Sequence, residues 1–280
     1  MSVRIVVESS TDVTEAVRSK LSVVPLTVHF GNREYIDGVT IDRKQFYEML
    51  VETDEIPTTS QPSPEAFAQV FRQAKEAGEQ VVALTVSSKL SGTYQSAMIA
   101  AADFPDDVWV VDSQTVAIGC GILAELALQL KEQGLSAPEI AAKLENEREK
   151  VRVIALLDTL EYLKKGGRVS PAVAMAGTLL GIKPVIAILN GEITILGKAR
   201  GSKNGHNMLR ELAEKQGIDF DMPFALAYSG LDDTLLRKYI ADSASLYADR
   251  TTDLPIYTIG STIGTHAGPG AVAVAFFSNQ

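Results

Sequence analysis

Residues 81–102 read VVALTVSSKLSGTYQSAMIAAA. The first six are almost wholly apolar and rich in β-branched residues, as a parallel strand buried on both faces is. Ser87, Ser88, Lys89, Leu90, Ser91, Gly92, Thr93 and Tyr94 follow as a turn of hydroxyls and glycine, and 95–102 then read as a helix. A strand that passes through such a turn into a helix is the start of a βαβ unit. Its turn presents free backbone N–H groups and the positive end of the helix dipole, which suits a phosphate or a carboxylate. Capping needs one hydroxyl and leaves the others for another task.

The same alternation extends outward. Strands are predicted at 4–7, 23–29, 80–86 and 108–112, with helices near 14–20 and at 43–52, 64–77, 93–102 and 116–133. Residues 1–150 therefore read as a three-layer α/β domain on a mainly parallel sheet. After a charged helix at 137–150 the character changes. Strand-like segments at 185–189, 192–196, 224–228, 256–259 and 271–277 are separated by helices near 204–216 and 233–246, and Asn190-Gly191 between two apolar runs predicts a hairpin. Residues 151–280 thus read as a second α/β domain, its sheet mixed or antiparallel and covered by helices. No internal repeat is visible.

A chain of 280 residues can build one large domain or two modest ones. A net charge of −9, with no basic run beyond Lys164-Lys165-Gly166-Gly167-Arg168, argues against nucleic acid as a partner. The acidic balance also disfavours a transcriptional role. The single cysteine, Cys120, rules out an internal disulfide and reads as a small buried hydrophobe in a reducing compartment. The start runs straight into a strand, unlike a signal peptide, and the longest uncharged apolar run, 169–182, falls short of the ~20 residues that span a bilayer. A soluble, cytoplasmic protein is expected.

Two further stretches carry chemistry. Residues 263–271, IGTHAGPGA, read as a loop that lets something approach the backbone, with Thr265 and His266 at its apex; taken alone, a tight turn with the imidazole on nearby carbonyls fits as well. In 58–64, TTSQPSP, Ser63 is the N-cap and Pro64 the first helical residue, which leaves Thr58, Thr59 and Ser60 without a stated role. A P-loop, a GxGxxG turn, a GxSxG elbow and a compact His/Cys zinc site are all absent from the sequence. No metal site and no catalytic residue is predicted. Hydroxyls, one imidazole and a few arginines in loops bind an anion more readily than they perform chemistry. The enzymatic alternative is a small-molecule phosphotransferase or hydrolase with Ser91 as nucleophile and His266 as base; it calls for a carboxylate that orients His266 and for a shallow, wet pocket.

Four ordered motifs, TSQPS at 59–63, SSKLSGTYQSA at 87–97, DTLEYLKKGGRVS at 158–170 and GTHAGPGA at 264–271, together resemble the DegV family over nearly the whole chain. That family is similar to the fatty-acid-binding subunits that work with a separate fatty acid kinase. Glu8 stands where the family's opening strand more often ends in Asp, and Tyr228 where a His is common. The resemblance implies a non-enzymatic carrier with no cofactor, holding one long-chain fatty acid within or between its domains. It implies carboxylate contacts at Thr59, Ser91 and His266, with Arg168 and Arg200 for phosphate recognition or docking to the kinase catalytic subunit. Transient membrane contact is compatible with such a role. Two hydroxyls, an imidazole and a helix N-terminus can satisfy the lone pairs of a carboxylate taken out of water. The tail needs an apolar tunnel, and 116–130, with Ala117, Gly119, Cys120 and Gly121, and 172–180 offer small residues that leave room.

Overall fold

A computed structural model describes residues 2–53, 55–170, 181–247 and 254–280. In β1 (Ser2–Glu8), β2 (Ser22–Val24), β6 (Glu79–Thr85) and β7 (Val108–Asp112) the short Val-rich runs form an all-parallel sheet in the order β2-β1-β6-β7. Side chains of a strand alternate between faces. Val6, Val81 and Ala83 pack under Phe67 and Phe71 of α3 (Pro64–Glu76) and Ala97 and Ala100 of α4 (Thr93–Ala101). Ile5, Val7, Val82 and Leu84 face the opposite layer, α5 (Ile118–Glu132) and α6 (Ala137–Glu147).

The second sheet contains β8 (Val151–Leu156), β9 (Ile182–Leu189), β10 (Glu192–Arg200), β11 (Ala225–Tyr228), β12 (Ile256–Thr258) and β13 (Val272–Phe277) in the order β10-β9-β8-β13-β11-β12. Every pairing is antiparallel except β11 with β12, so the expected mixed sheet is present. Its outer face is covered by α8 (Gly201–Gln216) and α9 (Thr234–Asp242), through Leu209, Ala213, Leu236 and Tyr239. Its inner face, Val153, Ala155, Ala273 and Ala275, meets α5. That helix is apolar without interruption from Ile118 to Ala124, because both sheets bury it. The predicted hairpin joins β9 to β10, with Asn190 at φ 51° and Gly191 at φ 80° as a two-residue turn of matching twist requires.

Several elements depart from the sequence reading. The strand expected at 23–29 is broken at Pro25, which has no N–H to donate. β2 ends there, and β3 (Thr27–Phe30) joins β4 (Arg33–Ile36) and β5 (Thr58–Ser60) in a small antiparallel sheet of order β4-β3-β5. That sheet and α2 (Arg43–Glu52) enclose a core of Val28, Phe30, Ile41, Phe46, Tyr47 and Leu50. The helix near 14–20 shortens to α1 (Glu15–Arg18), and 233–246 divides at Ser243 into α9 and α10 (Ala244–Tyr247). Residues 261–267, read in part as a loop, form the helix α11 (Ser261–Ala267), and α7 (Glu161–Lys165) opens the KKGGR turn. The tail wall expected at 172–180 lies outside the described residues. No helix among the described residues is long and apolar enough to cross a membrane.

Candidate functional site

The glycines of 263–271 made that stretch look like a loop, but Gly264 serves packing instead. A Cβ there would lie 2.6 Å from the Tyr47 hydroxyl and 2.7 Å from the Phe46 ring, so only glycine lets α11 settle against α2. The Tyr47 hydroxyl in turn donates to the Ile259 carbonyl at 3.1 Å. Past the helix, the Ser229 hydroxyl donates to the Gly268 carbonyl at 2.6 Å and accepts from the Ala271 amide at 2.8 Å. The face of α11 left free carries Thr262, Ile263, His266 and Ala267, and all four line one cavity.

His266 Nε2 lies 3.0 Å from the Thr59 hydroxyl, which β5 delivers from 207 positions away in the chain. Its Nδ1 is buried and has no hydrogen-bond partner among the described residues. Burial, with the Arg168 charge adding to it, pushes the imidazole down to about 4, so the ring is neutral at ordinary pH. Ser91, just before α4, pairs its hydroxyl with that of Thr93 at 2.9 Å and accepts from the Thr93 amide at 3.3 Å. Arg168 is half-buried and donates to two carbonyls, Leu90 at 3.2 Å and Gly166 at 2.6 Å. It therefore staples the turn after α7 to the loop after β6. Ser87 fixes that loop from its other side by donating to the Gly191 carbonyl at 2.8 Å, across to the β9–β10 hairpin.

Thr59, Ser91, Arg168 and His266 thus converge on the cavity, which holds about 900 Å³ of atom-free space with its open mouth included. The other walls are aliphatic: Val153, Ala155 and Leu157 from β8 and its end, Ile186 and Ile188 from β9, and Ala273 from β13. Of the tail-wall residues expected at 116–130, Val116, Ala117 and Ile118 line it, whereas Gly119, Cys120 and Gly121 do not. A Cβ on Gly119 would overlap Thr115 and Val153, and one on Gly121 would overlap the Asp12 carbonyl, so these small residues seat α5 close to its neighbours. Arg200 is exposed at the end of β10, outside the cavity. A second hollow shares Leu90, Arg168 and Ile193 with the cavity and adds Lys89, Gly167 and Glu192, which places the polar end beside the surface.

Sequence reasoning noted Glu8 only as a departure from the family's Asp and did not read Glu8, Asp12 and Asp37 as buried carboxyl groups. Glu8 Oε1 accepts from Ser10 at 2.7 Å and Thr11 at 3.3 Å, and Oε2 from the Val86 amide at 3.1 Å. Burial raises Glu8 to about 7 against the pull of those hydrogen bonds. Burial raises Asp12 to about 7 as well, opposed chiefly by the charge of Arg43. Asp37 accepts from the Ser9 hydroxyl at 2.9 Å and the Thr262 hydroxyl at 2.6 Å. The run ESSTD at 8–12, acidic at both ends of a hydroxyl triplet and closing a buried strand, was the available signal. Ser10 and Thr262 also line the cavity, and their hydroxyls donate to Glu8 and Asp37. Among the described residues no cluster of His, Cys, Asp and Glu could hold a metal ion.

The family model described as an uncharacterised protein of the DegV family matches residues 2–279. A DegV domain-containing protein of Deinococcus radiodurans is 37% identical over 283 residues, covering 98% of each chain. Among solved structures, a DegV family protein from Thermus thermophilus described by its fatty acid binding superposes with a TM-score of 0.87 at 33% identity, over 99% of this chain and 100% of that one. A stearic acid-binding protein from Eubacterium ventriosum superposes at 0.85 with 29% identity, over 99% of this chain and 98% of that one. With a family model spanning almost every residue and the same fold in its structural neighbours, this chain belongs to the DegV family.

Proposed function

We propose that this chain is a non-enzymatic cytoplasmic carrier, holding one long-chain fatty acid in the cavity and presenting its carboxylate to a separate fatty acid kinase. The observation that carries this reading is an aliphatic cavity with its available donors gathered at one end, beside the surface. Burying ~15 methylenes at ~0.8 kcal/mol each is worth on the order of 12 kcal/mol. The head group then needs only to avoid the cost of losing water. Either tautomer of neutral His266 leaves one proton for it. With hydrogen on Nε2 the ring donates to Thr59, whose own hydroxyl is then free to donate; with hydrogen on Nδ1, that N–H is the free donor. The names of the Thermus and Eubacterium neighbours speak for the same ligand class. The nucleophile–base reading finds no such support. The hydrogen-bond partner of His266 among the described residues is Thr59, no carboxylate orients its ring, and Ser91 pairs with Thr93.

Native mass spectrometry of the purified protein should show one retained mass in the range of a long-chain fatty acid, released by solvent extraction. A protein that comes out empty and does not bind added oleate or palmitate ends the carrier reading. The kinase partnership rests on the resemblance of the motifs and on the position of Arg168 between cavity and surface. Arg168→Ala should keep its lipid while acyl-phosphate formation with the cognate kinase and ATP slows at least about tenfold, the loss of one charge-assisted contact. Normal turnover in that variant would take Arg168 out of the encounter.

A further inference from the structure

We infer that Asp12 is a positioning residue for the carboxylate site, acting through the first turn of α11; the inference rests on the fatty acid reading above. Helix α11 is 7 residues long and begins at Gly260, which offers no side-chain cap. A helix of two turns has no stability of its own, and its place is set by whatever holds its ends. Its N-terminus is held from the other half of the chain. Asp12 Oδ1 accepts from the Gly260 amide at 2.7 Å, the Asp37 carboxylate takes the Thr262 hydroxyl, and the Gly260 position leaves no room for more. A Cβ on Gly260 would stand 2.9 Å from Asp12 Oδ1, so glycine is what admits the carboxylate. Asp12 is itself anchored, because its carbonyl lies where a Cβ of Gly121 would be and so packs directly on α5.

Besides the Gly260 amide, the charge of Arg43 favours a carboxylate at Asp12. Its Oδ2 is buried without a hydrogen-bond partner among the described residues. The charged groups that face it are Arg43, Asp37 and Arg18, and none of them is hydrogen-bonded to it. What its one bond does is fix the axial position of α11. Thr262 and His266 are four residues apart, so they share a face about 6 Å apart along the axis. A displacement of ~1 Å would stretch the 3.0 Å contact between His266 and Thr59 past hydrogen-bonding range.

The test compares wild type, Asp12→Ala, Asp12→Asn and Gly260→Ala as full-length, delipidated proteins, measuring affinity for palmitate and for methyl palmitate and titrating His266 by NMR. Asn keeps an oxygen for the Gly260 amide and places its NH2 where Oδ2 has no partner. Gly260→Ala disturbs the same bond from the other side, and so serves if Asp12→Ala does not fold. Asp12→Ala and Gly260→Ala should bind palmitate about tenfold more weakly, with methyl palmitate within about twofold of wild type and His266 moving up from about 4 toward its ordinary 6.5 as its ring gains water. Asp12→Asn should recover palmitate binding to within about threefold of wild type. Equal loss of both lipids, or full palmitate affinity with His266 unmoved in Asp12→Ala and Gly260→Ala, would overturn the inference. If wild type binds neither lipid, the carrier reading is what has failed, and the His266 titration alone then decides the role of Asp12.

Discussion

Glu8→Gln is expected to change the pH dependence of stability by on the order of 3 kcal/mol between about pH 5 and about pH 8, at about 1.4 kcal/mol for each pH unit that separates the folded and unfolded titrations. Glu8 is fully buried at the end of β1, and burial carries it from an ordinary 4.5 to about 7. Across that interval the folded chain holds a proton that the unfolded chain has released. The group's contribution is therefore fully present below about 4.5 and is lost as pH rises through about 7. Asp12, carried from 3.8 to about 7, acts in the same direction. His266 opposes them, because its folded value of about 4 lies below its ordinary 6.5, so its contribution is lost as pH falls through that range. Burial lowers His206 as well, in the same sense as His266. The wild-type profile is thus a partial cancellation, and the difference between wild type and Glu8→Gln isolates one group. Glutamine fits the site if its oxygen faces the Val86 amide and its NH2 faces the lone pairs of Ser10 and Thr11. Urea unfolding across that interval should give curves for the two proteins that diverge as pH rises, with the variant gaining. Parallel curves would show that Glu8 is ionised throughout.

The elements visible in the sequence are those whose burial is set by one continuous layer. β1 and β6 are buried over most of their length and, with the edge strand β7, read as short Val-rich runs, and Asn190-Gly191 announces its turn because few residues accept positive φ at both central positions. The small sheet was hidden. β4 is Arg33-Glu34-Tyr35-Ile36, mostly exposed, and it shows no alternation to read. In α11 a glycine needed for close packing on Tyr47 looks the same in sequence as a glycine needed for a turn. The candidate carboxylate contacts were reachable only through the family motifs. Thr59 comes from an edge strand, Ser91 from a helix-leading loop and His266 from α11, and nothing local to any of them records that the other two are near. The burial of Glu8, Asp12 and Asp37 was not legible because acidic residues are ordinarily exposed, and their partners are hydroxyls and amides brought in by the fold.

Gly166→Ala should weaken fatty acid binding by about ten- to a hundredfold, the loss of one or two hydrogen bonds to a charged group. Nothing in the backbone asks for glycine there, since φ is −70° and ψ −9°, ordinary helical values. What excludes a side chain is His266, whose Nδ1 a Cβ at this position would overlap, with Cε1 2.9 Å away. The ring has little room to retreat. Its Nε2 is bound to Thr59, and α11 behind it is stopped by Tyr47 and Phe46 where Gly264 meets them. Either the imidazole turns away from Thr59, or the end of α7 moves and takes with it Arg168, which bonds the Gly166 carbonyl. Both routes dismantle the head-group end while leaving the aliphatic walls intact. Gly167→Ala is the control for a purely structural effect: a Cβ there meets nothing within 4 Å, but φ is +73°, so the substitution strains the backbone and should lower stability by about 1 kcal/mol. Calorimetric titration with palmitate, alongside thermal unfolding of both variants, separates the two. Gly167→Ala should melt earlier and bind normally, whereas Gly166→Ala should melt earlier and also bind poorly. A Gly166→Ala protein with unchanged palmitate affinity would mean that His266 does not contact the ligand.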